Sequence, residues 1–170
     1  MKHLWTPWRM PYLKAPKETT MTGCIFCDKF RANGEQDRDN LVLWRGQRAG
    51  IVMNLYPYTN GHLMVAPYAH TGELETLDAV TLQEMMLLVA QSIRALRAYA
   101  NPHGFNVGAN LGKCAGAGVE DHVHLHIVPR WNGDTNFMPV LAETRMIPEM
   151  LPDTYDKIFS VLQADAEKAG

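Results

Sequence analysis

From Asp121 to Trp131 the chain reads Asp-His-Val-His-Leu-His-Ile-Val-Pro-Arg-Trp, with histidine at alternate positions from 122 to 126. A period of two is the signature of a β-strand, where successive side chains point to opposite faces. Val123, Leu125 and Ile127 therefore face a core, and His122, His124 and His126 line the other side. On a regular strand the α-carbons of that row stand roughly 6.5–7 Å apart. Pro129 lacks a backbone donor and is expected to end the strand. Three groups that titrate near neutrality repel one another when charged, so the row favours neutral imidazole. Neutral imidazole serves either as a metal ligand or as a nucleophile and base.

Composition narrows the setting. A chain of 170 residues suits one domain with a real core. A net charge of -2 argues against non-specific nucleic-acid binding through a basic surface. No apolar run reaches the length of a membrane span. The start carries Lys2 and Arg9 but no apolar signal core. The expected setting is the cytoplasm, where thiols stay reduced. Cys24-Ile25-Phe26-Cys27 then suggests a metal site or a redox pair. Two sulfurs at this spacing can chelate one tetrahedral ion of four ligands, and with no second Cys-x-x-Cys in the chain histidines would complete the set. No βαβ pattern surrounds the pair to favour the redox use.

Around these motifs the chain divides without a linker into an extended arm over 1–23, a core over 24–140 and a helical extension over 141–170. The arm carries Trp5, Trp8 and Tyr12, aromatics that need apolar cover. Strands are expected at 41–44, 50–55, 62–67 and 105–111. Pro57 and Asn60-Gly61 make 56–61 a turn, so its flanking strands form an antiparallel hairpin. His62 within it reads as a structural histidine. Thr81-x-x-Glu84 has the form of a capping box, followed by Met85, Leu88, Val89, Ser92, Ile93 and Leu96 at helical spacing. That helix should end near Tyr99, with Pro102 beyond. Gly112, Gly116 and Gly118 fall in a loop over 112–120, where glycines let backbone N–H groups wrap an anion. A last amphipathic helix is expected over 151–163. The fold class is α+β: a mainly antiparallel sheet of about five or six strands, one long helix and a C-terminal helix.

His122-x-His124-x-His126-Ile127-Val128 resembles the histidine-triad motif, His-φ-His-φ-His-φ-φ with φ apolar. That motif names the histidine-triad (HIT) superfamily of nucleotide hydrolases and nucleotidyl transferases. Pro129-Arg130-Trp131-Asn132-Gly133-Asp134-Thr135-Asn136-Phe137 is similar to the extension found in its diadenosine tetraphosphate phosphorylase-like branch. Leu4-Trp5-Thr6-Pro7-Trp8-Arg9-Met10, Asn54-Leu55-Tyr56-Pro57-Tyr58 and Pro102-His103-Gly104-Phe105-Asn106-Val107-Gly108 resemble that branch too. The likeness runs from Leu4 to Phe137.

The resemblance implies an enzyme that cleaves dinucleoside polyphosphates at the α-phosphate, with His124 the nucleophile and His126 and loop N–H groups stabilising charge. It assigns Asn54 to the ribose and Asn110 to phosphate, beside the loop of Gly116 and Gly118. It implies structural zinc on Cys24, Cys27, His70 and His122, no organic cofactor, and a homodimer. The family's hydroxyl residue before the triad is replaced here by Gly118, and its Pro-Gly-His turn by Asn60-Gly61-His62. Trp131 is expected to flank the pocket mouth, stacking on a base or packing against the polyphosphate. Two other readings remain: a hydrolase with one zinc gripped by His122, His124 and His126, and a nucleotide-binding protein without turnover. The first is strained by geometry, since the outer two positions on a flat strand lie roughly 13 Å apart.

Overall fold

The computed structural model describes residues 23–134 and 149–169. The aromatic arm with Trp5, Trp8 and Tyr12, and the stretch 135–148, lie outside them. In chain order the elements are α1 (Ile25–Arg31), β1 (Val42–Arg45), β2 (Ala49–Met53), β3 (Leu63–Pro67), α2 (Ala79–Ala100), β4 (Gly104–Gly108), β5 (Leu125–Arg130) and α3 (Leu151–Ala169). The strands form one sheet in the order β1-β2-β3-β5-β4, every neighbour antiparallel. The fold is α+β, as expected from the pattern.

Alternation along the strands gives the sheet two unlike faces. Leu43, Ile51, Met53, Leu63, Val65 and Ile127 pack against α2 and α3, through Met85, Leu88, Leu96, Ile158 and Leu162. The opposite face carries a smaller cluster of Val42, Val52, Met64 and Ala66, covered by Cys24 and Phe26. His126 pairs with Met64 on one side and Gly108 on the other, so it stands on this second face.

The histidine strand departs from expectation at both ends. β5 starts at Leu125, and His122 and His124 precede it in an irregular segment. Pairing with β3 stops at Val65↔Leu125, and before it Val123 N–H donates instead to Thr71 O at 2.7 Å. Pro129 does not end the strand; it lies within β5, opposite Phe105. Its carbonyl accepts from Thr59 Oγ1 at 2.9 Å, on the side where pairing with β3 finished at Ile127. A strand residue's N and C=O point the same way, so the missing donor falls where no strand needs it.

Other boundaries shift for local reasons. α2 is capped three residues before Thr81: Asp78 is its N-cap, its Oδ1 accepting from Thr81 N–H at 2.8 Å. Asp caps at least as well as Thr. Glu84, freed from capping, accepts from Gln47 N–H at 2.6 Å and Arg48 N–H at 2.9 Å, clamping the β1–β2 turn to the helix. α2 ends where Asn101 turns left-handed at φ 43, a residue type that tolerates that conformation. β4 stops at Gly108, short of 111, because its partner strand begins at Leu125. α3 runs past the expected 163 to Ala169. The Cys-x-x-Cys pair opens α1, whose last carbonyls are held by Arg45: its guanidinium donates to Phe30 O, Lys29 O and Ala32 O while pairing with Asp37.

Candidate active site

Five rings run in contact across the second face. Phe26 lies 4.8 Å from His124, His124 4.7 Å from His126, His126 5.0 Å from His62, and His62 4.7 Å from Tyr58, between centroids. The row is buried at the Phe26 end and open at Tyr58, which is 46% exposed. α1 supplies Phe26, β5 and its lead-in supply the two histidines, and the β2–β3 connection supplies the other two rings.

Hydrogen bonds fix where each proton sits. Tyr58 N–H donates to His62 Nδ1 at 3.2 Å, and a backbone amide can only donate. His62 therefore carries its proton on Nε2 and donates it to His126 Nδ1 at 2.9 Å. His126 is left with N–H at Nε2. His124 Nδ1 donates to the His122 carbonyl at 2.9 Å, so its Nε2 keeps a lone pair. His122 Nε2 donates to Pro67 O at 2.9 Å, and its Nδ1 lone pair points the other way.

All four rings are held neutral. Burial, then the neighbouring His126 and His124, bring His62 down to about 3. Burial, then His124, bring His126 to about 4. His124 is lowered by burial against its bond to the His122 carbonyl, and His122 by burial against its bond to Pro67. Neutral imidazole with a free Nε2 is a nucleophile; an Nε2–H beside it is a donor to developing negative charge.

The His122 Nδ1 lone pair faces a second cluster. Cys24 Sγ is 3.2 Å from it, Cys27 Sγ 3.6 Å and His70 Nδ1 3.4 Å; Cys27 Sγ is 3.4 Å from His70 Nδ1. The four ligand atoms all lie within 4.8 Å of one another. Tetrahedral zinc, bonded at roughly 2.3 Å to sulfur and 2.0–2.1 Å to nitrogen, needs edges of roughly 3.3–3.8 Å. The donor set and its spacing fit that ion. Burial, then Cys24, push the Cys27 thiol above its ordinary value, a cost that a cation among the sulfurs would reverse.

The other expected residues are placed less evenly. Asn54 adjoins the ring row: its Nδ2 is 3.2 Å from His62 Nδ1 and its Oδ1 accepts from Tyr56 N–H. Asn110 is half-buried just past β4. Gly116 has φ +89, which requires glycine, and added methyl groups at Gly116 or Gly118 would meet nothing, so the loop is open to a ligand. Trp131 sits apart from the histidines at the far end of β5. Its indole N–H donates to Ala100 O at 3.2 Å, closing the last turn of α2. His62 was missed as a site residue. Its alternation with Met64 and Ala66 placed it on a face, but contact with His126 depends on the β3–β5 register, which local sequence does not encode. Phe26 was legible only as a residue between two cysteines.

Comparison with known proteins agrees with this geometry. The HIT domain matches residues 35–133. The AP-4-A phosphorylase of Mycobacterium tuberculosis is 42% identical over 157 residues, covering 91% of this chain and 80% of that protein. An uncharacterised HIT-like protein of Mycoplasma genitalium is 30% identical over 121 residues, covering 71% of this chain and 82% of its own. A crystal structure of a zinc-bound histidine triad family protein from Mycobacterium smegmatis superposes with TM-score 0.67 at 27% identity, covering 88% of this chain and 99% of that one. The sheet order, the ring row and these likenesses agree: the chain belongs to the HIT domain family.

Proposed function

We propose that this chain cleaves dinucleoside polyphosphates, such as diadenosine tetraphosphate, through a nucleotidyl-histidine intermediate. The observation that carries the reading is the His124 tautomer, whose Nδ1–H is tied to the His122 carbonyl so that Nε2 is free to attack. His124 Nε2 bonds to the α-phosphorus as the bond to the departing polyphosphate oxygen breaks. His126 donates its Nε2–H to a phosphoryl oxygen, and His62 holds it in that tautomer. Asn54 takes the ribose; Asn110 and the backbone around Gly116 and Gly118 take the phosphates. Inorganic phosphate or water then releases the nucleotidyl group from His124. Likeness to an AP-4-A phosphorylase supports this substrate class.

A zinc ion held by Cys24, Cys27, His70 and His122 is part of the proposal, supported by the fit of the cluster and by a zinc-bound relative. When bound it supplies a closed structural link, without an open position for chemistry. One zinc gripped by His122, His124 and His126 is disfavoured, because His122 Nδ1 faces the sulfurs and His126 Nδ1 faces His62. A homodimer through the β4 edge is supported by Val107, 44% exposed on that outermost strand. No helix of the described residues is long and apolar enough to cross a membrane; a reducing cytoplasm suits cysteines that form no disulfide.

The test is incubation with labelled diadenosine tetraphosphate, with and without phosphate. Phosphate as acceptor gives ADP and ATP; water gives AMP and ATP. His124→Ala should abolish both while leaving nucleotide affinity largely intact, since the pocket walls supply binding. No turnover by wild-type protein with either acceptor would sink the reading and favour a binding protein.

A further inference from the structure

We propose that the Cys24–Cys27 turn is a positioning device for the nucleophile, acting on His124 through the Phe26 ring and through the main chain of His122. The inference rests on the nucleophile and zinc readings above and goes beyond both, since a closed metal site remote from substrate is ordinarily structural.

Two separate contacts lead from this turn to His124. The first is Phe26, between the two cysteines. It is fully buried, and its ring centroid stands 5.2 Å from His122 and 4.8 Å from His124, tilted 39° to the latter. It blocks one side of the nucleophile's ring. His126 blocks another, edge-on at 75° and 4.7 Å. Between them the imidazole has little freedom to swing about its side-chain bonds.

The second contact is His122 itself. Its ring belongs to the sulfur cluster and its carbonyl accepts the His124 Nδ1 proton. Whatever fixes the ring therefore fixes the acceptor that selects the nucleophile's tautomer. The ring has two anchors: Pro67 O at the end of β3, through Nε2, and the Cys24–Cys27–His70 group, through Nδ1. The segment needs such anchors, because it precedes β5 and no strand pairs it. Its backbone is held instead by Val123 N–H on Thr71 O, next to His70, and by Gly72, where an added methyl group would lie 2.4 Å from Glu120 O. The cluster thus joins α1, the His70–Gly72 turn and the lead-in to β5 at one point. Without it, one of the two anchors on the His122 ring is gone, and Phe26 keeps only its packing against the sheet and the Arg45 bonds at the far end of its seven-residue helix.

A misplaced or wrongly protonated imidazole binds substrate as well as before but attacks poorly. The expected signature is therefore in kcat. The experiment uses the full chain in two forms: wild-type protein depleted of zinc by a chelator, and zinc-loaded Phe26→Leu. Zinc content, circular dichroism, steady-state kinetics with diadenosine tetraphosphate, and the ¹⁵N resonances of His124 are measured on each. Zinc removal and Phe26→Leu should each lower kcat about tenfold or more, as changes behind a reacting group commonly do, with KM within about threefold. The His124 resonances should move from one tautomer toward a mixture. Unchanged kcat and an unchanged His124 tautomer in either folded form overturns the proposal. Should zinc removal unfold the protein, Phe26→Leu decides alone, because it leaves every ligand in place. Wild-type protein that carries no zinc would remove the metal reading instead, and Phe26→Leu would still test the ring contact. Wild-type protein without turnover would remove the enzymatic reading, and the tautomer shift would still report on the contact.

Discussion

His62 is the residue whose role changed most between sequence and structure. Fully buried, it passes a fixed tautomer to His126, and both rings titrate well below an ordinary histidine, at about 3 and about 4. The unfolded chain takes up these protons near pH 6.5, and the folded chain takes them up only at the lower values. As pH falls through that window the unfolded state binds more protons, so stability is full above about pH 6.5 and is lost toward pH 4 and 3. The urea midpoint of the wild-type protein should be flat above neutrality and fall on acidification; His62→Gln should fall less steeply. In turnover, His62→Gln should lower kcat roughly 10–100-fold with folding retained. If His62 merely fills space, the melting temperature will drop and kcat will stand. The three alternate histidines and the Cys24–Cys27 pair were legible because each pattern is local; His70 and His122 as their partners came from the family resemblance. Trp131 was legible as an aromatic, but its indole bond was not: the N–H closes a helix end, on an acceptor thirty-one positions away.

At the scale of elements, short-range grammar located every strand and both long helices but misplaced their ends. Thr81-x-x-Glu84 matched a capping box, and Asp78 took the cap. Asp78→Ala should lower the midpoint of chemical unfolding through loss of the cap; its ion pair with Arg48 is exposed and should add little. A Thr81→Ala change that cost as much would restore the sequence-based start. Arg45 is a stronger test of how α1 is held. Arg45→Met removes the donors to three carbonyls at the helix end and leaves Asp37 without its cation, both half-buried. It should lower the melting temperature and loosen zinc retention in a competition with chelator, while Arg38→Met, an exposed pair to Asp156, should do neither. These long-range uses of Glu84 and Arg45 have no signature in a window of neighbours.

For the whole molecule, the α+β class followed from alternation and helical spacing, whereas the strand order did not. The last strand among the described residues does not sit at the edge; β5 lies between β3 and β4 and leaves β4 outermost. That placement puts the strand Gly104–Gly108, with its two glycines and Asn106, beside His126 and exposes Val107. Val107→Asp should convert a dimer to a monomer in light scattering, without loss of the ring row. A wild-type protein that scatters as a monomer would end the dimer reading.

The insertion of β5 also sets when in folding activity can appear. Strands β1 to β3 pair with sequence neighbours, but β5 closes on β3 across an interval that includes the whole of α2. Cys24 meets His122 across 98 positions. Closures of this kind are late and slow events, which place mixed folds between fast helical bundles and slow barrels. A chain still emerging from the ribosome up to β4 holds four of the five described strands and neither His124, the proposed nucleophile, nor the His122 carbonyl that accepts its proton. Regained turnover during refolding should therefore lag behind regained helix signal, and the rate of that lag would time the arrival of a single strand.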